Sequence, residues 1–335
     1  MIDQSTETGQ QVSSDATQWA YISGRISVLE TQLLNRSFFE ALARSKSIAD
    51  AQSLLSKTPY RGFFPSNESI IDYSTNLDQA FTRTLEGVLK DAPPHIMRSY
   101  FHVSERYVYF RNLFIRLSGR NASVNELENT FSFLAENEDE QEAVARHREM
   151  VATRTAPQND QPVARSLFLD SVLVMLKLKI VSLVEEEMVK NILRDTTILE
   201  CWTAILRNRW NGTDAETIQK WFLVPPEYAE FVRNTAHLAL TNPVPALHGH
   251  VSENIVNLFQ GITPDILRQN IDILIRDAIR ENVLGSRMIT YGPEKVLAFY
   301  LALRIEIENL RLALAAVISG IESRTVIERF RREYA

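Results

Sequence analysis

The sequence predicts an all-α protein, and three observations lead to that fold class. Apolar residues recur at steps of three and four along most of the chain, which is the spacing of one face of a helix. Glycine is scarce, with 11 in 335 residues, whereas strands joined by tight turns usually need more. Ser, Thr and Asp, together with Pro and Gly, stand where the apolar segments begin and end. We therefore expect helices joined by short, capped connections.

The first part of the chain shows the helical period most clearly. Residues 1–15 are polar and rich in Ser, Thr and Gln, and we interpret them as a disordered tail. Ser37 with Glu40 has the spacing of a capping box, and Ser47 with Asp50 marks a further helix start. Two apolar stripes at helical spacing are Trp19, Ile22, Ile26, Leu29 and Leu33, and Leu77, Phe81, Leu85 and Val88. These features predict several consecutive helices.

Changes of composition divide the chain into parts. Residues 136–165 begin with many acidic side chains and end in a segment with two prolines, which is typical of a charged linker. A second interruption with two prolines covers residues 241–250. We expect a helical bundle in residues 16–135, a second in 166–240 and a third in 241–335. The last long helix is predicted from about residue 294 to 319.

A similar order of features occurs three times. Each copy has a leucine near the end of a long helix, then a glycine, a Ser or Thr cap and an apolar pair one turn apart. The copies are Leu117, Gly119, Ser123, Leu127 and Phe131; Leu206, Gly212, Thr213, Ile218 and Phe222; and Leu314, Gly320, Ser323, Val326 and Phe330. Any helical hairpin can give this order by coincidence. Three copies, with glycines about 100 residues apart, favour duplication of a domain-sized unit.

Composition and targeting signals exclude several classes of protein. The net charge of −6 argues against a nucleic-acid-binding protein, which usually carries a basic excess. A single cysteine, Cys201, favours a reducing compartment. No secretory signal is visible at the start. The most apolar segment, residues 171–184, is interrupted by Lys177 and Lys179 and is too short to span a bilayer. Any membrane contact is therefore expected to be peripheral.

The motif search predicts no enzyme and no cofactor. The sequence has neither a Gly-rich phosphate loop nor a Gly-x-Ser-x-Gly elbow. His248 and His250 form the only close histidine pair, and a metal site there would lack a nearby Cys or a second His pair. Cys201 lies among apolar helix residues, which favours a buried structural thiol over a nucleophile. We expect no catalytic, cofactor-binding or metal-binding residues.

The C-terminal helix is basic, with Arg324, Arg329, Arg331 and Arg332. Cations suit the end of a helix because they complement its macrodipole. The alternative is a surface for an acidic partner or for anionic lipid headgroups.

The two ends of the chain resemble a known family. The N-terminal pattern is Tyr21, Arg25, Leu29, Leu33 and Leu34, followed by Leu42, Ala51, Leu55, Thr58 and Tyr60. The C-terminal pattern is Gly292, Pro293, Glu294, Ala298, Tyr300, Glu306, Asn309, Leu310, Arg311, Gly320, Arg329 and Tyr334. In this order they are similar to the C subunit of the rotary V/A-type ATPases, called the d subunit in eukaryotic enzymes. The resemblance extends from about residue 15 to the end and is strongest at the two ends.

The resemblance implies three similar helical bundles around a pseudo-threefold axis, forming a funnel. It implies a non-catalytic connector between the central shaft of the catalytic head and the proteolipid ring of the membrane sector, for ATP-linked transport of protons or sodium. The protein would then lie on the cytoplasmic side of a membrane, bound peripherally. Its partners would be the proteins of the shaft and the ring, and the contact residues stay unknown. The alternative function is a helical adaptor or scaffold with no rotor, and an all-α enzyme is a more distant one.

Overall fold

The computed structural model describes residues 5–64, 73–92, 100–101, 162–284 and 291–330. Within these ranges the secondary structure is helical and no strand occurs, which confirms the all-α prediction.

The α-helices are numbered in chain order. They are α1 (Ser5–Glu30), α2 (Arg36–Ala43), α3 (Ile48–Leu55), α4 (Tyr73–Leu89), α5 (Pro162–Ser182), α6 (Glu187–Trp210), α7 (Ala215–Trp221), α8 (Ala229–Leu238), α9 (Glu253–Phe259), α10 (Pro264–Leu284), α11 (Pro293–Ser319) and α12 (Ser323–Ile327). Short 3-10 turns lie at Pro59–Gly62, Pro226–Tyr228 and Val244–Leu247. Residues 5–15, which we expected to form a disordered tail, fall within α1.

The chain separates into two compact units. Unit 1 combines Met1–Pro93 with Val283–Ala335, and unit 2 is formed by Pro94–Asn282. The division into bundles at residues 16–135, 166–240 and 241–335 stays a prediction, since residues 102–161 lie outside the described ranges.

Unit 1 is organised around α11, which contacts α1, α2, α3, α4 and α12. The helix is apolar on most sides, because it is surrounded by the shorter helices of the N-terminal segment. The predicted stripe of α4 is confirmed, since all four of its apolar side chains are buried. In the predicted stripe of α1, Ile22 and Ile26 are fully buried, whereas Trp19 and Leu29 are half-buried.

Unit 2 is organised around α6, which contacts α5, α7 and α8. Trp202 is fully buried and stands edge-on to Phe259, with 5.3 Å between the ring centroids. Its indole N–H donates to the carbonyl of Pro243 at 3.3 Å, so the largest side chain of this core has its polar atom satisfied.

Helix starts agree with the sequence at one site and differ at another. Ser47 caps α3 as expected, because its side chain accepts the N–H of Asp50 at 3.1 Å. The capping box predicted at Ser37 is wrong. Asn35 is the cap of α2, accepting the N–H of Phe38 at 3.1 Å, and Ser37 already lies in the first turn. Asn caps a helix as well as Ser does, so the earlier residue starts the helix.

The second and third copies of the repeat have the expected helix ends. Leu206 and Leu314 are both fully buried. Gly212 and Gly320 follow their helices with φ of 91° and 64°, a conformation that glycine adopts at little cost. The first copy, with Leu117 and Gly119, lies outside the described residues. The structural equivalence of the three leucines therefore stays a prediction.

The apolar pairs that follow these glycines are buried, as the repeat requires. They are Ile218 with Phe222 and Val326 with Phe330. The caps differ from the prediction by one residue: Asp214 caps α7 in place of Thr213, and Glu322 precedes α12 in place of Ser323.

Candidate functional site

The N-terminal and C-terminal segments meet inside unit 1. This matters because these two segments carry the family resemblance. The contacts that join them form the candidate site, which is a structural junction between α11 and the elements of residues 16–91.

A buried carboxyl lies at the centre of the junction. Glu306 of α11 is 5% exposed. The phenol O–H of Tyr60 donates to its Oε1 at 2.6 Å, and the backbone N–H of Leu34 donates to its Oε2 at 2.6 Å. We call these three groups the Glu306 clasp. Both carboxyl oxygens are thereby used to bind segments that lie 246 and 272 residues away in sequence.

Local sequence positions each member of the clasp. Thr58 caps the 3-10 turn at Pro59–Gly62 by accepting the N–H of Tyr60 at 3.2 Å, and its own hydroxyl donates to the carbonyl of Leu55 at 2.7 Å. This fixes the backbone of Tyr60 and buries its ring. Leu34 lies between α1 and α2, where its N–H has no helical partner and is free to bind Glu306.

Burial dominates the electrostatics of the clasp. It raises the pKa of Glu306 to about 7, and the hydrogen bonds from Tyr60 and Leu34 oppose this rise without cancelling it. Burial also raises the pKa of Tyr60, and the neighbouring charge of Glu306 adds to the effect. The phenol of Tyr60 therefore stays protonated, whereas Glu306 can gain or lose a proton near neutral pH.

Ion pairs surround the clasp. Lys295 at the start of α11 pairs with Glu30 at the end of α1, and both side chains are largely buried. Arg311, further along α11, pairs with the exposed carboxylate of Asp78 on α4 at 2.6 Å. The first pair is expected to hold the segments more firmly, because charges in a partly buried site are screened less by water and salt.

The start of α11 is also fixed to α1. The N–H of Gly292 donates to Oγ of the buried Ser23 at 3.2 Å, and the O–H of Tyr291 donates to the carbonyl of Ala16 at 2.8 Å. Gly292 has φ of 99°, and a Cβ added there would lie 2.8 Å from a carboxyl oxygen of Glu294. A side chain at position 292 is therefore disfavoured by the backbone conformation, whereas the close contact can be relieved by a movement of the flexible Glu294 side chain.

The structure brings many of the resemblance residues together. Apart from the clasp, Tyr300 stands edge-on to Phe81 with 5.7 Å between the ring centroids. Leu42, Ala51, Leu55, Ala298 and Leu310 are buried. Arg25 pairs with Asp91 at 2.9 Å. Tyr21 is an exception, since 62% of it is exposed, and Tyr334 lies outside the described residues.

The pairing of these residues was not predicted from the sequence. Lys295 and Glu30 were not singled out, and Glu306 and Tyr60 were named without being connected. One signal was present: Glu306 falls on the same helix face as Leu303 and Leu310, where a polar residue is unexpected. A carboxyl inside an apolar stripe needs a hydrogen-bond partner from elsewhere in the chain.

The histidines and the cysteine lie in unit 2. Nδ1 of His248 lies 3.8 Å from Oε1 of Glu253. The ring centroids of His250 and Phe231 are 5.0 Å apart. Burial lowers the pKa of His250. Cys201 is buried, and burial raises the pKa of its thiol, so it is a structural residue as expected. In the described part of the chain, no three or more His, Cys, Asp or Glu side chains are grouped as metal ligands would be.

The basic C-terminal segment lies on the surface of unit 1. Arg324 is exposed and lies 3.5 Å from Glu328, while Arg329 is also exposed. Arg331 and Arg332 are outside the described residues. Among the helices that the structure describes, each is too short or too polar to cross a membrane.

Comparison with known protein families gives a match over part of the chain. The family model described as the ATP synthase (C/AC39) subunit matches residues 22–157. A search of curated proteins found no match. The matched range includes the last third of α1 and all of α2, α3 and α4, and thus most of the N-terminal half of the junction. The match to this family of ATP synthase subunits agrees over residues 22–157 with the predicted resemblance to the C subunit of the V/A-type ATPases, and the C-terminal pattern at residues 292–334 lies outside the matched range.

Proposed function

We propose that this protein is a non-catalytic connector in the central stalk of a V/A-type rotary ATPase. It would couple the shaft of the catalytic head to the proteolipid ring, so that ATP turnover and ion movement are linked. The family match at residues 22–157 is the observation that carries this proposal.

The construction of unit 1 supports a mechanical role. A connector that transmits torque must resist deformation, and packed interiors with satisfied polar groups are stiff. In unit 1 the long helix α11 is surrounded by α1–α4 and α12 and fixed to them by the Glu306 clasp. A mechanical force applied to the N-terminal helices α1–α4 would therefore be transmitted directly to the C-terminal helix α11.

The proposed partners are the proteins of the central shaft and the proteolipid ring. Membrane contact would be peripheral, on the cytoplasmic side, and nucleic acid is not expected as a partner. The protein would need no cofactor of its own, because the catalytic head supplies the chemistry.

The decisive experiment is reconstitution of the complete ATPase in sealed vesicles with and without this chain. Without it, the catalytic head should still hydrolyse ATP, but ATP-driven ion uptake should be lost because no torque reaches the ring. Adding back the wild-type chain should restore uptake. The variant Asp272→Asn is a matched control and should restore it equally, since it changes only an exposed ion pair outside the junction.

Undiminished ATP-driven uptake without this chain would refute the connector function. The helical adaptor or scaffold would then be the better explanation. It predicts binding to a partner protein with no effect on the coupling between hydrolysis and ion movement.

A further inference from the structure

The Glu306 clasp differs from the ion pairs of Lys295 with Glu30 and of Arg311 with Asp78, because in the clasp a buried carboxyl joins the two chain ends through two neutral hydrogen-bond donors. Its carboxyl contacts Tyr60 and the N–H of Leu34. The cations nearest in sequence on α11 are engaged with other carboxylates: Lys295 with Glu30, Arg304 with Glu308 and Arg311 with Asp78.

Charged groups on the elements packed against α11 are also engaged or exposed. Those in ion pairs are, from α1 to α12, Arg25 with Asp91, Glu30 with Lys295, Arg36 and Arg44 with Glu40, Asp78 with Arg311, and Arg324 with Glu328. Arg83 of α4 lies over the ring of Phe63. The exposed ones are Asp50 of α3, Arg61 of the 3-10 turn and Glu86 of α4. Tyr60 is the titratable group in direct contact with Glu306.

Both protonation states of Glu306 can keep the two hydrogen bonds. When the carboxyl is ionised, Tyr60 and Leu34 both donate to it. When it is neutral, its O–H donates to the phenol oxygen of Tyr60, and Leu34 still donates to the other oxygen. The difference lies in the buried negative charge, which two hydrogen bonds stabilise only in part.

We propose that the Glu306 clasp is a proton-operated latch, which holds the segments of Leu34 and Tyr60 on α11 when Glu306 is neutral and loosens them when Glu306 is ionised. Loosening admits water to the carboxylate and so removes the cost of its burial. The latch is a property of unit 1 and does not depend on the rotor role.

The size of the effect follows from proton linkage. The carboxyl has a pKa of about 7 in the closed clasp and the ordinary value of 4.5 when water reaches it. Between these two values the closed state binds more protons than the open state, so opening increases about tenfold for each unit of pH. From pH 5 to pH 8 the open population should rise on the order of a hundredfold.

The N–H of Leu34 reports directly on the latch. Its hydrogen exchange is measured by NMR on the full chain between pH 5 and pH 8 and divided by the intrinsic exchange rate at each pH, which gives a protection factor. In the wild type this factor should fall on the order of a hundredfold, as the open population rises. The N–H of Leu206 in α6 of unit 2 is the internal reference and should show no such fall.

Two variants separate the latch from general instability. Glu306→Gln keeps an acceptor for Leu34 and a donor for Tyr60 but cannot ionise, so the protection factor of Leu34 should become independent of pH. Tyr60→Phe removes a hydrogen bond that lowers the pKa of Glu306. In that variant the fall in protection should therefore continue to higher pH than in the wild type.

The latch is refuted if protection at Leu34 in the wild type does not change with pH, or if Glu306→Gln shows the same fall as the wild type. If Glu306→Gln does not fold, the test is a pH titration of the wild-type chain, in which ¹³C NMR follows the chemical shift of the Glu306 carboxyl carbon. A titration midpoint near 7 supports the latch, and one near 4.5 overturns it.

Discussion

Units 1 and 2 are both helical, but the chain builds them in different ways. In unit 1, the polar contacts between the two chain ends join residues 233 to 275 positions apart. In unit 2, the contact with the widest separation among those described is the one between Tyr100 and Thr197, at 97 positions. Unit 1 therefore depends on long-range closure of the chain, whereas unit 2 forms from a continuous stretch. The same fold class can thus carry very different entropic costs of assembly.

The two units also treat buried charge differently. In unit 2 the buried Lys177 pairs with Glu200 at 2.6 Å and lies over the ring of Tyr100. Asp195, fully buried, accepts from the hydroxyl and the N–H of Ser252 just before α9. In unit 1 the central carboxyl, Glu306, has neutral donors as its partners. Unit 1 also has a largely buried ion pair, Lys295 with Glu30, but the charge of its most deeply buried carboxyl, Glu306, can be removed by a change of pH near neutrality.

The largest expected effect comes from the core leucines at matching positions of the repeat. Leu314→Ala in unit 1 and Leu206→Ala in unit 2 should each lower the free energy of unfolding of their own unit by about 2 to 5 kcal/mol, because each removes a fully buried side chain. Hydrogen exchange in α11 and α6, measured separately, shows which unit is affected. A loss under about 1 kcal/mol for either variant would contradict its place in a packed core.

The second effect is opposite pH dependence in the two units. The pKa of Glu306 is raised in the folded protein. Its contribution to the stability of unit 1 is therefore fully present below pH 4.5 and is lost as the pH rises through 7. The loss should be on the order of 3 kcal/mol. His250 has a pKa lowered from 6.5, so its contribution to unit 2 is present above pH 6.5 and is lost as the pH falls below it.

Tryptophan fluorescence can separate these trends. Trp19 lies in unit 1, and the other three tryptophans, Trp202, Trp210 and Trp221, lie in unit 2. Denaturant unfolding of the Trp19→Phe variant therefore reports on unit 2, while exchange in α11 reports on unit 1. Parallel pH trends in the two units would show that Glu306 and His250 are not the groups that distinguish them.

The smallest effect is expected at the exposed ion pairs. Asp78→Asn removes the pair with Arg311 in unit 1, and Asp272→Asn removes the pair with Arg207 in unit 2. Each should change the free energy of unfolding by about 0 to 1 kcal/mol, since exposed charges are screened by water. Calorimetry at low and high salt checks this, and a larger or salt-independent effect in unit 1 would show that Arg311 takes part in closing the chain.

The sequence was sufficient for the features that depend on local periodicity. The stripe of α4 and the bounds of α11, predicted at about residue 294 to 319 and found at Pro293–Ser319, follow from the 3.6-residue period and from Pro and Gly at the ends. Caps were harder to predict, because Asn35 and Asp214 compete with a neighbouring Ser or Thr for the same backbone N–H groups.

The clasp could not be predicted in the same way. Nothing in the spacing around Glu306 identifies Tyr60 as its partner, because the two residues are 246 positions apart and meet only after α11 packs on the N-terminal segment. A single sequence shows that a carboxyl stands in an apolar stripe, and no more. The family resemblance named both residues, and the structure supplies the hydrogen bond between them.

The distance along the chain between α4 and α11 has a consequence for biosynthesis. About 200 residues separate the end of α4 at Leu89 from the start of α11 at Pro293, and at 5 to 20 residues per second a ribosome needs about 10 to 40 seconds to add them. During this time the apolar faces of α1–α4 have no α11 to cover them, while the whole of α6 and its neighbours can emerge and pack. We infer that unit 2 folds first on the ribosome, and that the nascent N-terminal helices are the part of this protein that most needs a chaperone.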